Sequence, residues 1–192
     1  MNIPSIPMII SLAMKEIESD VNTMRNLSIY TLFYKSIYSF KDLAKFRFLD
    51  IGKTIKYVFI LAIIYFLPAM INLLLIDRDF SHLATNFDKG SLVIIIPIYL
   101  IFTYVLYSGL LFIKISILAG IALLFAKVSH RILPYRNAWR LTAFSITLPT
   151  VLFALLPLAR IDIPLGIIYD VALSIIYILF AIIKTPRSKK QS

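Results

Sequence analysis

An all-α integral membrane protein, with four transmembrane helices preceded by interfacial amphipathic helices, is the fold class this 192-residue sequence predicts. Three observations carry it. Hydrophobic residues make up 60% of the chain and the mean hydropathy is +0.87, which leaves too little polar surface to wrap a soluble globule of this size. Four apolar stretches, 57–76, 92–126, 141–158 and 164–183, approach or exceed the ~20 residues that cross a bilayer core. Between the second and third, KVSHRILPYRNAWR packs Lys127, Arg131, Arg136 and Arg140 with no acid, and short loops that keep Lys and Arg stay cytoplasmic.

The net charge of +10 does not point to nucleic acid, because the basic residues lie beside apolar runs and not on a soluble basic domain. Membrane topology and anionic headgroups account for them. With no cysteine, disulfides, thiolate metal sites and a Cys nucleophile are excluded.

Residues 1–27 read as a mobile N-terminal arm. The apolar run Met8 to Met14 is too short to span, lacks a basic leader and is followed by KEIESD, so neither a spanning helix nor a removable signal peptide fits. Met1 and Met24 are both open as the start. Residues 28–56, SIYTLFYKSIYSFKDLAKFRFLDIGKTIK, mix Tyr and Phe with Lys and Arg as a helix at headgroup level does. Ser39 and Asp42 form a capping pair that divides the segment into two short helices, and Gly52 allows a bend before the bilayer. Lys35, Lys41, Lys45, Arg47, Lys53 and Lys56 here, with Arg131, Arg136 and Arg140 of the later loop, are candidate contacts for lipid headgroups or a partner.

The bundle, 57–184, opens with Tyr57 to Ile76, uncharged and ~30 Å long as a helix. Pro68 predicts a kink, and Asn72 needs a polar partner. Asp77 to Gly90 holds three acids against Arg78 and Lys89 and reads as outside. Leu92 to Ala126, with Lys114 its only charge, measures ~52 Å as one helix. A hairpin at Lys114 would raise the count to five spans but put the basic loop outside, so one long crossing is preferred, with Lys114 snorkelling near the inner surface. Leu141 to Leu158 carries Pro149 and Pro157, whose freed backbone groups Thr142, Ser145, Thr147 and Thr150 can refill. Arg160 and Asp162 make an outer turn before Pro164 to Ile183. The tail, 185–192, adds basic charge, so both termini are cytoplasmic and the chain is a multi-pass cell-membrane protein.

Catalytic motifs are absent from this sequence. His82 and His130 lie in no HExxH pattern, the five glycines form no phosphate-binding loop, and Glu16 and Glu18 are confined to the arm. No enzyme activity and no cofactor is expected. Asp170 and Asn72 are the candidate intramembrane polar sites. Asp170 reads first as a structural acid, bonded to Tyr or Thr hydroxyls or to Arg160, with Lys114 too far inward to reach it; Asp170→Asn would then accumulate normally. The sharper reading is a proton or cation site.

The elements KSIYS, AKFR and GKT between Phe33 and Thr54, and the stretch YRNAWRLTAFSITLP from Tyr135 to Pro149, resemble a bacterial membrane-protein family of unknown function that includes the maltodextrin utilization protein YvdJ. The resemblance spans about 33–184; the second stretch is also similar, more distantly, to Yip-type membrane proteins. It implies an integral membrane protein with no catalytic residues to carry across, and the sugar-related name implies an association, not an activity. The short outer segment, Asp77 to Gly90, departs from the longer one that many members of the family carry. Sequence reading therefore favours a non-enzymatic accessory or interaction component of a transport or envelope process, binding the bilayer and a membrane-protein partner or a second copy. A small transporter or channel with Asp170 as its polar site is the alternative.

Overall fold

The structure is a computed structural model that describes residues 15, 27–71, 89–131, 133–159, 161 and 163–185. Among these there is no strand, and four helical stretches are long and apolar enough to cross a membrane: Ile51–Pro68, Val93–Val128, Tyr135–Ala159 and Gly166–Ile183. Most of residues 1–26, Asn72, residues 73–88, Arg160, Asp162 and residues 186–192 lie outside the described residues.

Two short helices come first, α1 (Ile29–Tyr38) and α2 (Phe40–Phe46). They part at Ser39, whose hydroxyl accepts from the Asp42 amide at 3.3 Å, the capping pair expected from the sequence. Helix α3 (Ile51–Ile71) starts six residues before the predicted span. The reason is Asp50: its carboxylate accepts from the Gly52 amide at 3.1 Å and its carbonyl accepts from Thr54, so it closes the first turn as a cap. Gly52 is thus not the bend; it sits inside the helix, where a Cβ would come within 3.1 Å of that carboxylate. Lys53 and Lys56 move from the interfacial segment onto a spanning helix. Asp50→Ala is expected to cost about 1 kcal/mol, read as a lower unfolding midpoint with unchanged helix content.

Helix α4 (Lys89–Val128) runs unbroken for 40 residues, ~60 Å, straight through Lys114 and Pro97, so there is no hairpin. It ends at His130, a residue in left-handed conformation with φ 51°. Arg131 N–H donates to the Ala126 carbonyl and His130 N–H to that of Lys127, the paired closure that usually recruits glycine. The basic loop is therefore shorter than read: α5 (Tyr135–Ser145) already contains Arg136 and Arg140.

Ile146 separates α5 from α6 (Thr147–Leu155), because Pro149 has no N–H for the Ser145 carbonyl four residues back. Ser145 and Thr147 hydroxyls do donate to backbone carbonyls of the preceding turn, at 2.9 and 2.8 Å, whereas Thr142 Oγ1 is buried without a partner among the described residues. A 3-10 turn, Leu156–Ala159, follows around Pro157, and α7 (Gly166–Ile183) completes the fold after Leu165 in left-handed conformation.

Helix α4 packs on α3, α5 and α7, and α3 also on α6. The core is aromatic at one end: Phe144 of α5 lies 4.5 Å from the Tyr57 ring and 5.0 Å from Phe46. Leu32, Leu43, Phe46 and Leu49 are fully or almost fully buried, so α1 and α2 dock on α5, α6 and α7. Apolar packing against protein thus contributes to holding them. This end gathers α1, α2, the start of α3, the turn after Val128 and the end of α7, where Ala181 and Ile182 are buried.

Candidate functional site

Away from that end, α4 and α7 bring Lys114 and Asp170 together. Lys114 Nζ lies 2.5 Å from Asp170 Oδ2 and donates a second hydrogen bond to Thr150 Oγ1 at 3.1 Å. The side chains are 18% and 14% exposed, which makes this a mostly buried ion pair. It corrects the expectation that Lys114 is too far inward. Counted from the basic end, Lys114 stands ~21 Å before Val128 and Asp170 ~20 Å before Ile183, so both are at one depth. Counting from the far end of each helix misplaced Lys114, because α4 extends far past the Gly166 end of α7.

The pair continues into a column of hydroxyls. Thr150 receives Lys114, and one turn earlier on α6 Thr147 Oγ1 is 2.6 Å from the Tyr57 hydroxyl, with both residues fully buried. Thr and Tyr hydroxyls thus serve Lys114 and each other, not Asp170 as expected. Asp170 Oδ1 is buried with no hydrogen-bond partner among the described residues, and so is Ser174 Oγ one turn on.

On its other side Asp170 borders a cavity of about 570 Å³ at the end of the bundle opposite the basic one. Tyr65 of α3, Phe153 of α6, Leu156 and Pro157 of the 3-10 turn, Ile161, Ile163 and Pro164 of the connection, and Gly166 and Ile167 of α7 complete the wall. The size of the cavity suits a small molecule, and a mostly apolar lining with few polar groups is the usual make-up of a binding site.

The basic candidates gather at the opposite end and serve the protein more than its surroundings. Lys35 pairs with Asp42 at 3.5 Å, Lys53 donates to the Leu27 carbonyl, and Arg140 Nη1 donates to the Arg47 carbonyl at 3.3 Å. The Arg47 guanidinium stacks 4.5 Å over the Phe48 ring, and burial draws its pKa below the ordinary value. Lys45 and Arg131 are half-buried, Lys56 and Arg136 are exposed, and the Lys41 side chain, like Asn72, lies outside the described residues. Sequence reasoning named Asp170 but missed Lys114, Thr150 and Tyr65. A lone Lys in a 35-residue apolar run was the available signal for the first.

No curated protein and no solved structure matches the chain. A family described as protein of unknown function (DUF1189) matches residues 30–90 and 75–182. That supports the resemblance read from the sequence as far as a family of unknown function, and carries neither the YvdJ link nor the Yip likeness. Since those matches cover most of its length, the chain is a member of the DUF1189 family.

Proposed function

We propose that this chain is a non-enzymatic protein of the cell membrane that binds another membrane component through its bundle, as an accessory or interaction component of a transport or envelope process. The observation that supports it best is the cavity over the Lys114–Asp170 pair. A buried ion pair is weak evidence for stability, since apolar replacement is often no worse, so its place beneath a cavity argues for use. The link to maltodextrin utilization comes from the resemblance alone. Extraction in a mild detergent is expected to recover a transporter or envelope-assembly subunit in stoichiometric amount; a correctly inserted chain that always isolates alone overturns the accessory role.

In this reading both termini and the Lys127 to Arg140 segment face the cytoplasm, and Asp77 to Gly90 the outside, since charge asymmetry sets orientation. A reporter active only outside is expected to be silent after Arg136 and active within 77–90. Activity after Arg136 would reverse the assignment.

A small transporter is the second reading, favoured by the hydroxyl column from Lys114 through Thr150 to Thr147 and Tyr57. Ion-driven flux in proteoliposomes that Asp170→Asn abolishes, with insertion intact, would favour it over the accessory role.

A further inference from the structure

We infer that Arg47, Arg136 and Arg140 form a binding site for the phosphate of an anionic phospholipid. The site lies at the basic end of the bundle and stands independently of the cavity at the other end.

Two of the guanidinium groups reach this place from different elements. Arg47 directly follows α2 and Arg140 belongs to α5, and the hydrogen bond from Arg140 Nη1 to the Arg47 carbonyl, at 3.3 Å, fixes one residue beside the other. The residues are 9% and 8% exposed, so both charges are largely withdrawn from water. Neither forms an ion pair with a described carboxylate: Asp42 pairs with Lys35, and Asp50 accepts from the Gly52 amide as the cap of α3. A charge withdrawn from water without a counter-charge is costly, and an anion that reaches it relieves that cost.

The donors open to such an anion are the terminal nitrogens. Both Nε atoms are sealed and unbonded, and they take no part. Arg47 Nη1 and Nη2 and Arg140 Nη2 donate to no described residue and are not among the sealed atoms, so they face a ligand's approach. The Arg47 guanidinium lies over the Phe48 ring at 4.5 Å, a stack that holds its plane and directs its in-plane donors away from the ring. Arg136 adds a third positive charge. It is exposed and stands one turn before Arg140 on the same face of α5, where two like charges repel unless an anion is shared between them. The first turn of α5 carries no acid, so the positive end of that helix favours the same ligand.

Guanidinium forks bind phosphate oxygens in pairs, and phosphate is the anion that a bilayer surface presents. The source of the phosphate is read from α3. Phe48, Ile51, Ile55 and Phe59 are 47%, 37%, 37% and 42% exposed, and the last three recur every four residues along one face of a spanning helix. This apolar track begins at the residue beside Arg47 and runs into the bilayer, the course of an acyl chain below its headgroup; a free phosphate gains nothing from it. Three guanidinium charges repel the ammonium of a choline or ethanolamine head, so a glycerol head is preferred.

Full-length protein in a maltoside detergent, titrated by calorimetry with dioctanoyl phosphatidylglycerol, dioctanoyl phosphatidylcholine and glycerol phosphate, tests this. Saturable binding of phosphatidylglycerol is expected, roughly tenfold tighter than phosphatidylcholine and roughly a hundredfold tighter than glycerol phosphate. Arg47→Lys/Arg140→Lys keeps the charge and removes the forks, and should weaken binding roughly tenfold. Should that variant fail to fold, Arg136→Gln decides alone: with its side chain exposed, it should weaken binding roughly threefold at an unchanged unfolding midpoint, while Lys127→Gln, exposed at the same end, leaves binding as it was. Equal losses from Arg136→Gln and Lys127→Gln would overturn the site in favour of general surface charge. Glycerol phosphate binding as tightly as the lipid would overturn the lipid source, and equal binding of the two lipids would overturn selection of an anionic head. Binding seen only in Glu16→Gln/Glu18→Gln/Asp20→Asn would show that the chain supplies its own carboxylate there, and no saturable binding of any probe would overturn the site altogether.

Discussion

Lys114→Met alone or Asp170→Leu alone is expected to destabilise the bundle by about 3 to 5 kcal/mol, whereas the double variant Lys114→Met/Asp170→Leu should be close to neutral or more stable than the parent. The asymmetry follows from burial. Each single variant leaves one charge inside the bundle without its counter-charge, while the double removes both desolvation costs and keeps the volume filled. Both side chains are less than one-fifth exposed, so solvent screening does little to soften the effect. Asp170→Asn belongs with the single variants. The sequence alone suggested that it would accumulate normally, but that held only for an acid without a lysine; with Nζ at 2.5 Å, the substitution strands Lys114 with Thr150 as its remaining partner. Reversible unfolding in detergent or bicelles, read for all four proteins, gives the coupling directly as the departure from additivity. Additive single effects would show that the pair is solvated and not coupled.

Phe144→Ala should carry the next largest cost, about 3 kcal/mol, and it should act at the opposite end of the molecule. Phe144 is fully buried between Tyr57 of α3 and Phe46 of α2, at 4.5 and 5.0 Å between ring centres. It ties α2 to the spanning helices. Inside a bilayer the transfer part of the loss shrinks, because lipid is as apolar as phenylalanine, but the vacated space and the lost ring contacts remain. The expected result is a lower unfolding midpoint together with faster protease cleavage in 28–50, since α1 and α2 lose their anchor. Neutralising Lys35, Lys45 and Lys56 should leave that cleavage nearly unchanged, because Leu32, Leu43 and Leu49 still pack on protein. Cleavage that follows the lysines and not Phe144 would restore lipid charge as the docking force.

Much of this arrangement is local and therefore legible in the sequence. Uninterrupted apolar runs announced four spanning helices, Ser39 with Asp42 announced the break between α1 and α2, and Pro149 announced trouble in the third span. Each depends on residues within a turn or two of one another, which is the range at which hydropathy, capping and proline act. Helix starts were the weak point. Ile51 and Tyr135 begin helices six residues earlier than hydropathy suggests, because a cap or a backbone preference can extend a helix past the end of its apolar run.

Asp170 was recognisable as costly from the sequence, yet its partner was not. Pairing Lys114 with Asp170 across 56 residues depends on how far α4 slides along α7, and that register is set by packing of α4 on α3, α5 and α7. Apolar stretches of unequal length give no internal mark of relative depth, so a helix of ~60 Å beside one of ~27 Å can be aligned in many ways on pattern alone. The cavity is less legible still, since residues of α3, α6, α7 and the connection each contribute part of a wall that no single segment encodes. Composition and charge thus determined that the chain is a membrane bundle; only the tertiary packing, acting between helices distant in sequence, decided that its one described intramembrane acid meets a lysine beneath an open space.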